Sequence, residues 1–382
     1  MPFSVRPLLT LTVATFLMTS VRVQAQQPTP APPSTDDDGP MQQDSPIVVK
    51  KKQQETEAPP PPAPEEEKIK NPKGLENYSI HVDVPVVTVD TSVVLEKTRQ
   101  FVPGLKKENF RVYEDGEEQT IDSVRTVQTP ITAVMLLEFA ANSWYFIQDM
   151  RNTSEVLFHS LKPEDYIAVV TYDMRTHILT DFTQDKRVTA EALNSLTLPM
   201  MSDTNMFDAL SETIDRLSRV EGRKYILLIG TGRDTFSRNT LDSILKKIKN
   251  SQNITIFTIG TGQLVRELAD SRGMMGPITR MDYLQADNEM KTFARMTGGQ
   301  AFFPMFQGAL PDVFAQINDS IRNQYMITYR PTNRAQDGTY RKIKVELVDA
   351  EGRPLRMVDE KGKQVKYSVI AREGYTARHQ VE

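Results

Sequence analysis

The sequence contains no cysteine, one tryptophan and four histidines. Without thiols there are no disulfides, no thiolate nucleophile, no thiolate-held metal and no lipid-modified N-terminal cysteine. The histidines, His81, His159, His177 and His379, are scattered, and none has a metal-binding spacing such as H-E-x-x-H. Neither a G-x-S-x-G nucleophile turn nor a G-x-x-x-x-G-K-[ST] phosphate loop occurs, so an envelope hydrolase is disfavoured. An excess of positive charge is missing too. The formal net charge of −4 gives no basic face to displace counterions from phosphate, which argues against nucleic acid as a partner. Long apolar runs are also lacking. The N-terminal one, Leu8 to Met18, falls short of the roughly 20 residues that a membrane-spanning helix requires, and no membrane span is expected in the mature chain.

What is present divides the chain into zones. Residues 1–25 carry Arg6, then the short apolar run, then Val23, Gln24 and Ala25, the pattern of a cleavable export signal. Export to the periplasm or the cell exterior follows. Residues 26–75 hold half of the chain's prolines and almost no large apolar side chains. Such a segment buries too little surface to offset the entropy of ordering, and it reads as a disordered, Pro-rich linker. Residues 76–129 alternate apolar and polar residues in "YSIHVDVPVVTVDTSVVLE", and Glu114-Asp115-Gly116 marks a hairpin between "NFRVY" and "EEQTIDSV".

From residue 130 to 323 strand-like and helix-like segments take turns, beginning with the continuous apolar run "ITAVMLLEF". The fold class expected is α/β, a Rossmann-like, mostly parallel central sheet with helices on both faces. Alternation returns in residues 324–378, where Ile343, Val345 and Leu347 face one way and Lys342, Lys344 and Glu346 the other. This C-terminal β segment is expected to pack with the N-terminal β unit as one β-sandwich. The repeated "IGTG" at Ile229 and Ile259 lacks the lysine and glycine spacing of a phosphate cradle and reads as two tight strand exits.

In an open α/β sheet the carboxyl ends of the strands carry the ligand rim. Three stretches stand there: Glu138 to Ser143, "SDTNMFD" from Ser202, and "GTGRDT" from Gly230. A strand ending in a carboxylate loop, a threonine before a helix and a later strand ending in a short glycine loop resemble a von Willebrand factor type A domain over about residues 131 to 322. The flanking phrases "VPGLKKENFRVYEDGEEQTI" and "SIRNQYMITYRPTN", with "DGTYRKIKVEL" and "REGYTAR", resemble the secreted bacterial "VWFA-related" proteins described mainly from acidobacteria.

The resemblance implies a metal-ion-dependent adhesion site, Asp-x-Ser-x-Ser with a later Thr and Asp, forming an oxygen shell for Mg²⁺. At those positions this chain has Glu138, Ala140, Asn142, Thr204 and Thr231, of which only Thr204 keeps the expected type. The site is therefore expected to be degenerate. No cofactor is expected, or at most a weakly held Mg²⁺ or other divalent cation on Glu138, Asn142 and Thr204. The alternative roles are structural: Glu138 pairing with Arg233 or capping a helix, and Asp203 and Thr204 capping the helix near Asn205. Partner contacts are expected from the rim residues Ala140, Ser143, Asp203, Thr231, Arg233 and Asp234. Met274, Met275 and Tyr283 join them from a long, Met-containing connection over 263–288, read as a recognition loop. The function expected is non-enzymatic binding of a protein partner; the alternatives are a metal-dependent adhesin using the atypical Glu/Asn/Thr set and a scaffold subunit of an envelope complex.

Overall fold

The computed structural model describes residues 85–126, 129–141, 161–306, 308–359 and 361–378. The export signal, the linker, the start of the first alternating segment and the helix expected around Trp144 lie outside the described residues. So do the site positions Asn142 and Ser143.

The N-terminal zone gives strands β1 (Val87–Leu95), β2 (Phe110–Glu114), β3 (Glu117–Gln119) and β4 (Ile121–Thr126). Asp115 and Gly116 both take positive φ, 52° and 93°, as a two-residue turn twisted to match its strands requires. The "EEQTIDSV" segment is not one strand. It breaks at Thr120, so that β3 pairs with β2 while β4 crosses to a different sheet.

The α/β zone consists of strands β5 (Ile131–Glu138), β6 (Tyr166–Tyr172), β7 (Thr176–Thr183), β8 (Arg223–Gly230), β9 (Ile254–Gly260) and β10 (Ala301–Phe302). Its helices, among the described residues, are α1 (Lys186–Ser195), α2 (Met206–Ser218), α3 (Leu241–Asn250), α4 (Gln263–Ser271), α5 (Pro277–Thr297) and α6 (Leu310–Arg322). The sheet order is β10-β9-β8-β5-β6-β7, parallel except for the edge strand β7. Every residue of β5 is buried. Ala133, Met135 and Leu137 pack on one face with Phe314 and Ile317 of α6, whereas Val134 and Leu136 pack on the other with Leu210 of α2 and Phe293 of α5. Two covered faces explain why this strand is continuously apolar. Its N-terminal end is held by Asp165, which accepts from the Ile131 and Lys162 amides at 3.1 and 2.6 Å and pairs with Arg322 of α6.

Beyond α6 come β11 (Tyr325–Tyr329), β12 (Tyr340–Leu347), the short pair β13 (Met357–Val358) and β14 (Gln364–Val365), then β15 (Tyr367–Ala371) and β16 (Gly374–Thr376). β13 and β14 pair with each other, and the others interleave with the N-terminal strands in two antiparallel sheets, β15-β1-β11-β4 and β16-β12-β2-β3. Both sheets contribute to one apolar core that includes Val89, Val93, Phe110, Val112, Tyr325, Ile327, Tyr329, Ile343, Val345 and Leu347.

The expected recognition loop over 263–288 is a correction. That stretch is helical, forming all of α4 and more than half of α5, with only residues 272–276 between them. Gly273 takes a positive φ of 66°, and Pro277 starts α5 at the one helical position where a missing amide proton costs nothing.

Candidate functional site

The parallel register brings the carboxyl ends of β5, β6, β8 and β9 to one edge. Glu138 lies beside Tyr172 across the β5–β6 ladder, and Leu137 beside Ile229 across β5–β8. The two "IGTG" motifs leave the sheet side by side, with the Thr261 amide donating to the Gly230 carbonyl at 2.9 Å.

Glu138 is 1% exposed. Its carboxyl is turned onto Thr231: the Thr231 amide donates to Oε2 at 2.6 Å, and the Thr231 hydroxyl lies 2.9 and 3.1 Å from the two oxygens. Burial dominates its acidity and pushes the pKa from 4.5 up to about 7, against the lowering effect of the Thr231 donors and the nearby Arg233 charge. The Tyr172 hydroxyl, buried next to it, has no hydrogen-bond partner among the described residues, and burial together with Glu138 and Asp234 holds it well above the ordinary tyrosine value. Gly230 fits here because a Cβ would come within 2.5 Å of Glu138 Oε2 and 2.6 Å of the Tyr172 hydroxyl. Ala140, on the exit from β5, is fully buried and supplies no side-chain oxygen.

Thr204 is also buried, and its hydroxyl donates to the Arg233 carbonyl at 2.7 Å. Its amide donates to Thr235 Oγ1 at 2.9 Å, and its carbonyl accepts from the Thr235 and Phe236 amides. Asp203 accepts from Thr235 Oγ1 at 3.1 Å. Neither Asp203 nor Thr204 caps α2: the cap position belongs to Asn205, whose side chain makes no capping bond. The polar residues of "SDTN" instead tie this loop to the one after β8. Asp208 strengthens the tie. Although burial raises its pKa, donors from the Arg238 and Asn239 amides and the Asn239 side chain hold it below the usual carboxylate range.

Asp234 and Glu289 share a cleft of about 310 Å³ with Arg233, Asp282 and Gln285. Burial raises the pKa of both carboxyls, and the Asp234 charge adds to the rise at Glu289. Tyr283 is half-buried between two guanidinium groups, Arg233 at 5.4 Å and Arg266 at 4.8 Å from its ring centre. Arg266 in turn pairs with Asp287 at 3.0 Å. Met274 is 75% exposed in the turn between α4 and α5, and Met275 beside it is half-buried. Among the described residues no three histidine, aspartate or glutamate side chains converge on a point where a metal ion could sit.

The sequence reading missed an apolar fringe. Leu198, Met200, Met201 and Phe236 are exposed, Met200 to 90%. The Met201 carbonyl accepts from the Ala141 amide at 2.7 Å, and the Phe236 amide bonds to Thr204, so the fringe sits on the same rim as Glu138. The signal available in sequence was "LTLPMMSD", a stretch with four large apolar residues shortly before Asp203.

The von Willebrand factor type A domain model matches residues 143–275. No curated protein matches the chain. Similar solved structures include the conserved hypothetical protein BatB from Bacteroides thetaiotaomicron, with 12% identity over 50% of this chain and 100% of that one and a TM-score of 0.38. The vWF domain of the type V pili tip protein Mfa5 from Porphyromonas gingivalis shows 13% identity over 51% of this chain and 96% of that one, at a TM-score of 0.39. A von Willebrand factor type A protein from Catenulispora acidiphila shows 12% over 72% and 75%, at 0.41. Among the described residues no helix is long and apolar enough to cross a membrane. The matched model and the mixed sheet with helices on both faces identify a von Willebrand factor type A domain in this chain, accompanied by additional antiparallel sheets.

Proposed function

We propose that the chain is an exported, non-enzymatic module that binds a protein partner through the rim loops of its von Willebrand factor type A domain, without a tightly held divalent metal. The observation that carries this reading is the closure of Glu138 onto Thr231 beneath an exposed apolar fringe. A hard cation needs several oxygens turned to one centre, and it needs its carboxylate ligands ionised. Here the donors of Thr231 occupy both Glu138 oxygens, the carboxyl is raised to about 7, and Ala140 offers no ligand. The Thr204 hydroxyl is committed to the Arg233 carbonyl. This donor set does not fit a tight Mg²⁺ site of the adhesion type.

Binding is instead supplied by Leu198, Met200, Met201 and Phe236, with Asp203, Thr231, Arg233 and Asp234 beneath them setting orientation. Exposed methionines and aromatics suit this because they give apolar area that adapts to a partner's shape. Met274, Met275 and Tyr283 extend the surface along α5. The test is affinity capture with the exported chain, with and without chelator, beside calorimetric titration with Mg²⁺ and Mn²⁺. Capture of the same partner in both conditions, lost in Met200→Asp and Phe236→Asp, is the expected result. Tight metal binding abolished by Thr204→Ala would overturn the reading in favour of a metal-dependent adhesin.

A further inference from the structure

A second concave site lies on the opposite side of the molecule from the rim loops, where the antiparallel sheets meet the α/β domain. The cleft has a volume of about 390 Å³, within the range of small-ligand sites. Gln252 and Asn253 line it from the segment after α3, Gln336 from the loop before β12, and Arg341, Arg372 and Arg378 from the C-terminal strands and their ends. Among the described residues, three arginines line this cleft and no carboxylate does.

The three cations differ in how they are compensated. Arg341, 2% exposed, is paired with Glu114 at 3.3 Å, and Glu114 also accepts from the Tyr329 and Tyr375 hydroxyls at 2.7 and 3.0 Å. The Nη atoms of Arg341 donate to the Asn333 and Ala335 carbonyls, but its buried Nε has no partner among the described residues. Arg372 donates from Nε to the Gly374 carbonyl at 2.8 Å and from Nη2 to the Ser251 carbonyl at 3.0 Å. No carboxylate pairs with it among the described residues, and burial pulls its guanidinium below the ordinary value. Arg378 is exposed and likewise without an ion pair among the described residues.

A partly buried guanidinium whose hydrogen bonds go to backbone carbonyls is under-compensated, because the desolvation of a charge is offset most fully by a directly paired counter-charge. Its planar fork of donors matches carboxylate and phosphate oxygens. We propose that this cleft binds a small organic oxyanion, a polycarboxylate or a phosphate ester, through Arg372 and Arg378, on a lining that also includes Gln336 and Arg341. Such a ligand touches both parts of the molecule, since Gln252 and Asn253 belong to the α/β domain and the arginines to the β segment. It stabilises their junction, and it does so independently of the rim.

Calorimetric titration and thermal melting of the full chain, with citrate and separately with glycerol 3-phosphate, test the proposal; sodium chloride at equal ionic strength is the control. Saturable binding of at least one probe, with a raised melting temperature, is expected. In Arg378→Glu and in Gln336→Glu, both at solvent-accessible positions, the affinity falls at least tenfold while the melting temperature of the free protein is kept. Citrate alone binding would name the polycarboxylate, and glycerol 3-phosphate alone the ester. No saturable heat with either probe up to about 10 mM, tenfold above a millimolar dissociation constant, would overturn the proposal. So would a response equal to that of chloride, or affinity unchanged in both variants.

Discussion

Glu138 carries one methylene more than aspartate, and with that reach its carboxyl meets Thr231 across the gap between β5 and β8. Burial raises the acid from 4.5 to about 7, so between those values the folded chain holds a proton that the unfolded chain has released. Stability changes with pH in proportion to protons bound unfolded minus protons bound folded, which is negative here. The contribution is absent below pH 4.5, grows as pH rises, and is complete above about 7, where the buried charge costs on the order of 3 kcal/mol. Glu138→Gln removes the titration. Urea denaturation at pH 5 and pH 8 is expected to show wild type losing stability relative to Glu138→Gln across that interval; parallel curves would contradict the assignment. The identity of residue 138 was plain in the sequence, and so was its position at a strand end. Its partner was not, because Thr231 lies 93 positions away and becomes a neighbour only through sheet register.

Elements were legible where one physical signal dominated. The apolar run of β5 and the alternation of β12 each dictate their own burial, and both strands are where the pattern puts them. Residues 263–288 misled because their methionines and polar residues hide the helical period behind a surface exposed along much of its length. The end of α5 is held to the sheet by Thr297, whose hydroxyl oxygen accepts from the Ile256 amide at 2.9 Å and lies 3.0 Å from the Phe293 carbonyl. Thr297→Val leaves that buried amide on β9 unpaired at a cost of roughly 1–3 kcal/mol, whereas Thr297→Ser retains the acceptor. Chemical denaturation of the two variants separates them, and a loss in Thr297→Ser as large as or larger than in Thr297→Val would contradict the dominance of the hydroxyl.

At the scale of the molecule, the chain leaves the first two β layers, builds an entire α/β domain, and then returns to complete them. Strand β1 has β11 on one side and β15 on the other, and β2 depends on β12, so both N-terminal strands rely on residues more than 200 positions later. A chain ending at Asn323 loses all of those partners and exposes the apolar faces of Val89, Val93, Phe110 and Val112. Open strand edges backed by apolar side chains associate with one another. Gel filtration of this truncated chain is expected to show aggregates where the full chain runs as a discrete species; a well-behaved truncated species would refute the dependence.

Periodicity and composition alone determined the α/β class and the half-buried strands at both ends, because burial on one face or two is written locally in side-chain polarity. The tertiary structure decided what long-range pairing decides. It turned Glu138 onto Thr231 and joined the "SDTN" loop to the loop after β8. It also put Arg341 at an inward position of β12, where Glu114 on β2, itself held by two tyrosine hydroxyls, supplies a buried counter-charge beside the Asn333 and Ala335 carbonyls. A charge in a core is intelligible only with its buried counter-charge in view, and Glu114 stands 227 positions from Arg341.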